Sequence, residues 1–273
     1  MTRLTCENSC KININNNIDV LLLAGGKGSR LKKGGLVDLP KPLVPIQIDG
    51  HNIPMIENAI RGISTSIRSN LIILTSLDPD SRSDMVEEYI LKTHPCGRIS
   101  FSVEDQPLGT AGASNKVLVR SSSNIGIISP TDTLFPFHLL PNIVIAHTQK
   151  KANVTWVVTS QPGKDAQNTG KILTDKQGYV LYDLEVSDMT LPLEYGTTNL
   201  SRMTSVGVVV TNRGYFTDIF GQYFDSSAPQ VIDLYRQYIP KLLEIGEKVD
   251  TFDIKQPAQD LGTIDRLNRY GRS

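Results

Sequence analysis

Three glycines, Gly25, Gly26 and Gly28, mark the first place where residue types and spacing could do chemistry. They directly follow a short apolar run, Ile18–Leu23, which is typical of a buried parallel strand. Glycine lets the backbone approach a ligand closely and adopt left-handed angles. Successive N–H groups in such a turn attract an anion, and Arg30 adds a guanidinium suited to phosphate. The pattern predicts a phosphate-binding loop.

A second cation follows in the sequence Pro40-Lys41-Pro42, where two prolines restrict the backbone around Lys41. The loop, the arginine and the lysine together indicate a nucleoside triphosphate site. The loop alone is weak evidence, because its spacing fits neither the dinucleotide fingerprint nor the Walker loop. A tight strand-to-helix turn with a solvated Arg30 is the alternative interpretation.

The segment E-D-Q-P-L-G-T-A-G-A, residues 104–113, follows a predicted strand and begins a predicted helix. Its small residues would let a flat base lie against the backbone, with N–H groups contacting the edge of the base. The alternative is a glycine-rich helix N-terminus that only packs closely against a neighbour.

Two aspartates complete the set of candidate residues. Asp132 follows a buried strand, and ligands of open α/β sheets bind at such strand ends. A carboxylate there could hold Mg²⁺ on substrate phosphates, although Asp132 alone could also cap a helix. Asp260, in D-L-G-T, could supply a second carboxylate or cap the last helix.

Strands and helices alternate along the part of the chain that must position these residues. Strands are predicted at residues 18–23, 71–75, 99–103, 125–129 and 154–159, and helices at 54–66 and 83–91, the second capped by Ser83. This alternation favours a mostly parallel sheet with helices on both faces. Further elements are predicted as a hairpin at 171–184, strands at 205–211 and 249–254, and helices at 229–243 and 263–269.

Composition excludes several classes of function. The 28 Lys and Arg residues equal the 28 Asp and Glu residues, so no global field favours nucleic acid or an acidic membrane. No apolar run approaches the ~18 residues of a membrane span. Cys6, Cys10 and Cys96 are too few for a disulfide framework and favour a cytoplasmic location. Residues 1–17 are polar and predict a flexible extension, followed by a single domain at 18–273.

Taken together and in order, these segments resemble those of the sugar-1-phosphate nucleotidylyltransferases, also called NDP-sugar pyrophosphorylases. That family has a strand leading into G-G-x-G-x-R-L, then P-K-P, P-L-G-T-A-G-A, an aspartate after a buried strand, and a late D-x-G-T. All five are present, over roughly residues 18–270. The resemblance implies an α/β fold of the Rossmann-like nucleotidyltransferase type, a doubly wound, mixed, mostly parallel sheet with a sugar-binding insertion.

The resemblance also implies an activity of EC 2.7.7 type, in which an NTP and a sugar-1-phosphate give an NDP-sugar and pyrophosphate. The forms of the motifs favour GTP slightly. The acceptor could be a sugar or a sugar-like cyclitol phosphate, and a homodimer is expected.

Each matched residue receives a role from the resemblance. Arg30 and Lys41 would be the catalytic cations, and Asp132 and Asp260 would hold Mg²⁺. Nucleotide-binding residues would come from the two glycine-containing segments: Ala24, Gly25, Gly26, Gly28, Ser29, Gly109, Thr110 and Ala111.

The acceptor side departs from the family pattern. Gly170 matches a glycine near the sugar, and Glu185 matches the glutamate of the family's Glu-Lys-Pro element. The lysine of that element, which binds the sugar phosphate, is replaced by Val186. Because valine cannot donate to a phosphate, we expect Lys171, or failing that Lys164, to hold the acceptor.

Two alternatives remain open at this point. A non-catalytic regulatory homologue that binds a nucleotide-sugar would be expected to lose catalytic residues, yet Arg30, Lys41, Asp132 and Asp260 are all retained. A nucleotidyltransferase for a non-sugar phosphate or phosphonate is favoured by the loss of the sugar-phosphate lysine.

Overall fold

The computed structural model describes residues 17–29, 39–95, 99–161, 171–183, 200–224 and 230–270, and for Lys171 only the backbone. The strands are β1 Ile18–Leu23, β2 Pro45–Ile48, β3 His51–Pro54, β4 Asn70–Ser76, β5 Ile99–Glu104, β6 Ile125–Pro130, β7 Thr133–Leu134, β8 Val154–Thr159, β9 Lys171–Thr174, β10 Val180–Asp183, β11 Ser201–Asn212, β12 Val249–Asp253 and β13 Gln259–Asp260. The helices are α1 Met55–Ser66, α2 Ser83–Thr93, α3 Gly109–Leu118, α4 Leu140–Gln149, α5 Arg213–Tyr223, α6 Ile239–Glu244 and α7 Ile264–Tyr270, with a π-helical turn Leu234–Tyr238 directly before α6.

Nine strands form the main sheet within those residues. Its path runs β10-β9-β11-β6-β1-β4-β5, and β8 joins β11 to β12. Strands β6, β1, β4 and β5 are mutually parallel, whereas β11 runs antiparallel to β6, β8 and β9. The predicted doubly wound, mixed, mostly parallel sheet is confirmed.

Helices cover both faces of this sheet because its central strands are apolar on both sides. Val20 and Leu22 of β1 pack in one cluster with residues of α1, α2 and α4. Leu21, which points to the opposite face, packs in a second cluster with residues of α3, α5 and α6. The carboxyl ends of the parallel strands are thereby left at one edge of the sheet, between the two helical layers.

Two boundaries differ from the predictions. The helix predicted from residue 229 starts only at Leu234, because the Asp233 carboxylate accepts hydrogen bonds from the N–H groups of the following turn and caps it. Ser83 does not cap α2; the preceding Arg82 holds that position with a left-handed φ of 52°. Ser83 instead accepts a hydrogen bond from the Ser76 N–H at the end of β4.

Other predictions are limited by the described range. The carbonyl of Asn17, which was placed in the extension, accepts a hydrogen bond from the Asn124 N–H, so Asn17 already belongs to the fold. Cys6, Cys10 and Cys96 lie outside the described residues. No helix of the described part is long and apolar enough to cross a membrane.

Candidate active site

A cavity of about 450 Å³ opens where the parallel strands β1, β4, β5 and β6 end, the usual place for a ligand in an open α/β sheet. Its walls come from the loop after β1, the ends of β4 and β5, the start of α3, the turn after β6 and the segment before α6. The principal lining residues are Ala24, Gly25, Gly26, Lys41, Ser76, Glu104, Gly109, Thr110, Asp132 and Tyr235.

The loop after β1 continues the sheet before it turns away. The Ala24 N–H donates to the Leu74 carbonyl, and a Cβ on Gly25 would come within 3.2 Å of the Thr75 carbonyl carbon. Gly26, in contrast, has open space where a Cβ would be, and Gly28 has a left-handed φ of 62°. The backbone of the loop is therefore accessible from the cavity at Gly26.

Lys41 is the first residue of a single 3₁₀ turn, Lys41–Leu43, and stands between Pro40 and Pro42. Its side chain lines the cavity. Pro42 is buried, and the Leu43 N–H donates to the Pro40 carbonyl, so the turn is fixed on both sides. The Lys41 side chain is 18% exposed and its Nζ forms an ion pair with Asp132. A rigid turn thus places an ammonium group beside a candidate metal ligand.

Asp132 and Asp260 are brought together by a short two-stranded sheet of β7 and β13. Asp260 pairs with Thr133, and the Leu261 N–H donates to the Asp132 carbonyl at 2.8 Å. A Cβ on Gly262 would lie 2.9 Å from Asp132 Oδ2, 2.8 Å from Asp260 Oδ1 and 3.0 Å from Lys41 Nζ. The two carboxylate oxygens are therefore at most about 6 Å apart, compared with the ~4.2 Å that separates opposite ligands of one Mg²⁺ ion.

The local structure speaks against the alternative interpretation of these two aspartates as helix caps. Asp132 caps no helix, because the element that follows it is the strand β7. Asp260 lies within β13 and accepts a hydrogen bond from the Gly262 N–H at 2.6 Å, before α7 begins at Ile264. The two aspartates meet through strand pairing across 128 residues of sequence rather than as two helix caps.

The start of α3 is packed closely against the segment before the π-helical turn. Gly109 has a left-handed φ of 74°, and a Cβ there would lie 2.5 Å from the Ile232 carbonyl oxygen. That same oxygen accepts hydrogen bonds from the N–H groups of Ala111 and Gly112. These two N–H groups are thus satisfied within the protein.

Three residues at the start of α3 are predicted to bind the nucleotide. Gly109 and Thr110 line the cavity, and Ala111 does not. Ala111 is fully buried in the core, so its predicted contact with a nucleotide is not supported by its position. The Thr110 hydroxyl donates to Asp233 at 3.1 Å and accepts from the Leu234 N–H at 2.7 Å. Thr110 therefore fixes the neighbouring turn while its side chain forms part of the cavity wall.

A profile of the family described as nucleotidyl transferase matches residues 19–270. The chain belongs to the nucleotidyl transferase family. The match includes every described residue named above, except Asn17 and Ile18 at the start of the fold.

Several members of this family or fold can be compared with the chain. A D-glycero-alpha-D-manno-heptose 1-phosphate guanylyltransferase of Aneurinibacillus thermoaerophilus is 27% identical over 157 residues, 58% of this chain and 63% of that protein. A mannose-1-phosphate guanyltransferase of Debaryomyces hansenii is 26% identical over 257 residues, 89% of this chain and 60% of that protein. The chain spans less than two thirds of the length of these curated relatives.

Among solved structures, HddC from Yersinia pseudotuberculosis complexed with GMP-PN has a TM-score of 0.68 at 19% identity. The superposition covers 93% of this chain and 98% of that one. At this identity the likeness concerns the nucleotidyl transferase fold.

The remaining predicted residues are distributed unevenly. Gly28 and Ser29 continue the first loop but do not line the cavity. Arg30, Gly170 and Glu185 lie outside the described residues, as does the side chain of Lys171. Their predicted roles stay predictions.

Three cavity features were not predicted from the sequence. Glu104 ends β5, accepts a hydrogen bond from the Leu108 N–H at 3.2 Å, and has its pKa raised by burial. Tyr235, which is partly buried, donates to the Gly207 carbonyl at 2.5 Å, and desolvation raises its pKa so that the hydroxyl stays protonated. Lys27 pairs with Asp78 at 2.7 Å across the mouth of the loop. Glu104 could have been found, because it ends a strand three residues before the P-L-G-T segment.

Proposed function

We propose that this chain is a sugar-1-phosphate nucleotidylyltransferase that uses GTP in preference to other NTPs. It would join the nucleotidyl group to a sugar-1-phosphate or a sugar-like cyclitol phosphate and release pyrophosphate. The observation that carries the proposal is the meeting of Lys41, Asp132 and Asp260 around Gly262, beside a cavity bordered by Gly26 and Gly109. The guanylyltransferase names of the curated relatives support the choice of GTP.

The reaction requires no protein nucleophile. An oxygen of the acceptor phosphate, already deprotonated at neutral pH, attacks the α-phosphorus in line, and pyrophosphate leaves. The Lys41 ammonium group would leave its ion pair with Asp132 and bind the α-phosphate. There it would neutralise charge that develops in the transition state. Gly25 and Gly26 would contact the outer phosphates through the backbone, and Arg30 would add a second cation.

The donor chemistry of the two aspartates fits Mg²⁺. This cation takes oxygen ligands and commonly uses one or two carboxylates together with substrate phosphates. Asp132 and Asp260 would supply those carboxylates, and no third His, Cys, Asp or Glu joins them among the described residues. When bound, the ion would neutralise part of the triphosphate charge.

Glu104 offers a physical reason for guanine. Glu104 lines the cavity, and its carboxylate can only accept hydrogen bonds when ionised. Guanine presents adjacent N–H donors on its pairing edge, whereas uracil and thymine present a single N–H between two carbonyl oxygens. A carboxylate therefore favours guanine and disfavours the other two bases.

The acceptor is proposed to contact Gly170, Lys171 and Glu185. Lys171 begins β9, and its backbone pairs with Thr204 of β11. Since Val186 cannot donate to a phosphate, Lys171, which directly follows Gly170, is the proposed replacement for the missing lysine.

The activity is tested by incubating each common NTP with a set of sugar-1-phosphates and cyclitol phosphates and measuring pyrophosphate release. For the most active pair, Lys41→Met should lower kcat by about 100-fold or more, because a transition-state cation is lost. Lys92→Met, at an exposed position near the end of α2, is the matched control and should retain activity. Wild-type turnover in a folded Lys41→Met protein would exclude the proposed role.

The choice of base is tested separately. Glu104→Gln should lower kcat/KM for GTP by about tenfold or more while raising the relative rate with UTP or dTTP, since an amide can donate as well as accept. Asp105→Asn removes an adjacent but exposed carboxylate and should leave the order of preference unchanged. An unaltered preference in Glu104→Gln would assign base selection to other groups.

A further inference from the structure

Asp260 is already occupied by protein donors. Its Oδ1 accepts the Gly262 N–H at 2.6 Å, and its Oδ2 forms an ion pair with the Arg266 guanidinium. Arg266 projects from α7, and only 9% of its side chain is exposed. A buried guanidinium therefore stands where the proposed metal site would need a free carboxylate oxygen.

Asp132 also has a protein cation on one of its oxygens. Its Oδ2 is paired with Lys41, and both side chains are mostly buried, at 15% and 18% exposure. The two carboxylates that would hold Mg²⁺ are thus matched by two protein cations. The net formal charge of these four side chains is zero.

We propose that Arg266 is a resident counter-cation of Asp260 that keeps the metal affinity of the free protein low, so that Mg²⁺ enters together with the triphosphate. This inference rests on the proposed function. Arg266 acts through Asp260 and is a positioning residue; it has no direct role toward the reacting atoms.

The physical basis is charge balance in a poorly solvated place. A divalent cation gains little by approaching a neutral cluster, whereas it is strongly attracted once a triphosphate adds several negative charges. Arginine suits this role because it remains protonated at any physiological pH and its planar donors match a carboxylate. Lys41 differs, since its proposed partner changes from Asp132 to the nucleotide.

The test measures Mn²⁺ binding rather than turnover. Mn²⁺ is titrated into the protein without nucleotide, and free Mn²⁺ is followed by electron paramagnetic resonance. Arg266→Met should bind Mn²⁺ about tenfold more tightly than wild type, because the cluster gains one net negative charge. Arg266→Lys should restore weak binding, and Arg269→Gln, on an exposed position of the same helix, should match wild type.

Unchanged or weaker Mn²⁺ binding in a folded Arg266→Met protein would overturn the inference. Folding is checked by circular dichroism, and Asp260→Asn in the same background should abolish the added affinity. If Arg266→Met does not fold, the inference is tested by titrating Mn²⁺ into the wild-type protein with and without nucleotide. The inference requires Mn²⁺ binding to strengthen at least about tenfold when a non-hydrolysable GTP analogue is present. Equally tight binding without nucleotide would contradict it.

The two proposals fail in different ways. If no pair of NTP and acceptor phosphate releases pyrophosphate, the proposed function is wrong, although the nucleotide-free titration still reports on Arg266. If wild type is active but Arg266→Met leaves Mn²⁺ affinity unchanged, only the counter-cation is wrong.

Discussion

Two glycine-containing segments border the cavity, and their glycines meet different physical needs. In the loop after β1, Gly26 faces open space and Gly28 supplies a left-handed turn. At the start of α3, Gly109 also has a left-handed φ, but a Cβ there would lie 2.5 Å from the Ile232 carbonyl oxygen. The first segment stays open toward a ligand, whereas the second is closed by another part of the chain.

The difference matters for how such segments are interpreted. Both contain several small residues in the segment that follows a strand, so both predict a backbone that binds a ligand. At α3 the Ile232 carbonyl takes the N–H groups of Ala111 and Gly112, leaving them unable to donate to a base. Glycine content predicts close approach, but it does not say whether the approaching group is a ligand or the protein itself.

The largest effect is expected at the closed segment. Gly109→Ala places a methyl group against the Ile232 backbone at a left-handed φ, so we expect a loss of about 3–5 kcal/mol in the free energy of unfolding. The measurement is chemical denaturation followed by circular dichroism. Gly214→Ala, in α5 with open space around it, is the control and should change stability by no more than about 1 kcal/mol. A stable Gly109→Ala protein would mean that this segment is not closed.

Part of the fold and of the site was predictable because the physics is local. Apolar runs mark β1, β4 and β6, and strand-helix alternation makes them parallel neighbours, which places the loop after β1 and Asp132 at one edge. The two-residue turn Asp49-Gly50, with both φ angles positive, also has a sequence that marks a hairpin, although β2 and β3 were not predicted.

Two helices were missed for identifiable reasons. α4 begins Leu140-Pro141-Asn142, and its apolar residues form one short run, Ile143 to Ala146, which shows no helical periodicity. α5 contains glycine and aromatic residues of modest helix propensity and is held by burial of Phe216 and Ile219. In both cases tertiary packing, which no single segment contains, decides the structure.

Arg266 and the segment before α6 could not be predicted either. Arg266 is one of 28 basic residues and has no distinctive spacing, so its burial against Asp260 follows only from the position of α7. The contact of Ile232 with Gly109 joins residues 123 positions apart without strand pairing. The sequence predicted that Asp132 and Asp260 would meet and that Lys41 would belong to the same site. It did not predict the ion pair of Lys41 with Asp132, or Arg266 at all.

A smaller effect should follow from opening the closed segment at one hydrogen-bonding group. Thr110→Val keeps the shape of the cavity wall but removes the hydroxyl that bonds Asp233 and the Leu234 N–H. We expect a loss of about 1–2 kcal/mol in the free energy of unfolding, since the Leu234 N–H loses its acceptor. The KM for the NTP should stay within about twofold of wild type, because the hydroxyl is engaged within the protein. Thr110→Ser keeps the hydroxyl and is the control. A large rise in the NTP KM of Thr110→Val would show instead that Thr110 contacts the nucleotide.

The smallest change in free energy is expected in the open loop, and it should appear in binding instead of stability. Gly26→Ala adds a methyl group where the structure leaves space and no left-handed φ is required, so the free energy of unfolding should change by less than about 0.5 kcal/mol. The same methyl group would stand where phosphates approach the backbone, and the KM for the NTP should rise about fivefold, equivalent to about 1 kcal/mol. Gly28→Ala is the informative companion, because its φ of 62° makes a side chain costly by about 1 kcal/mol in stability even without any ligand. If Gly26→Ala instead destabilises the protein and leaves the KM unchanged, the loop after β1 is a packed turn like the start of α3, and the contrast between the two segments disappears.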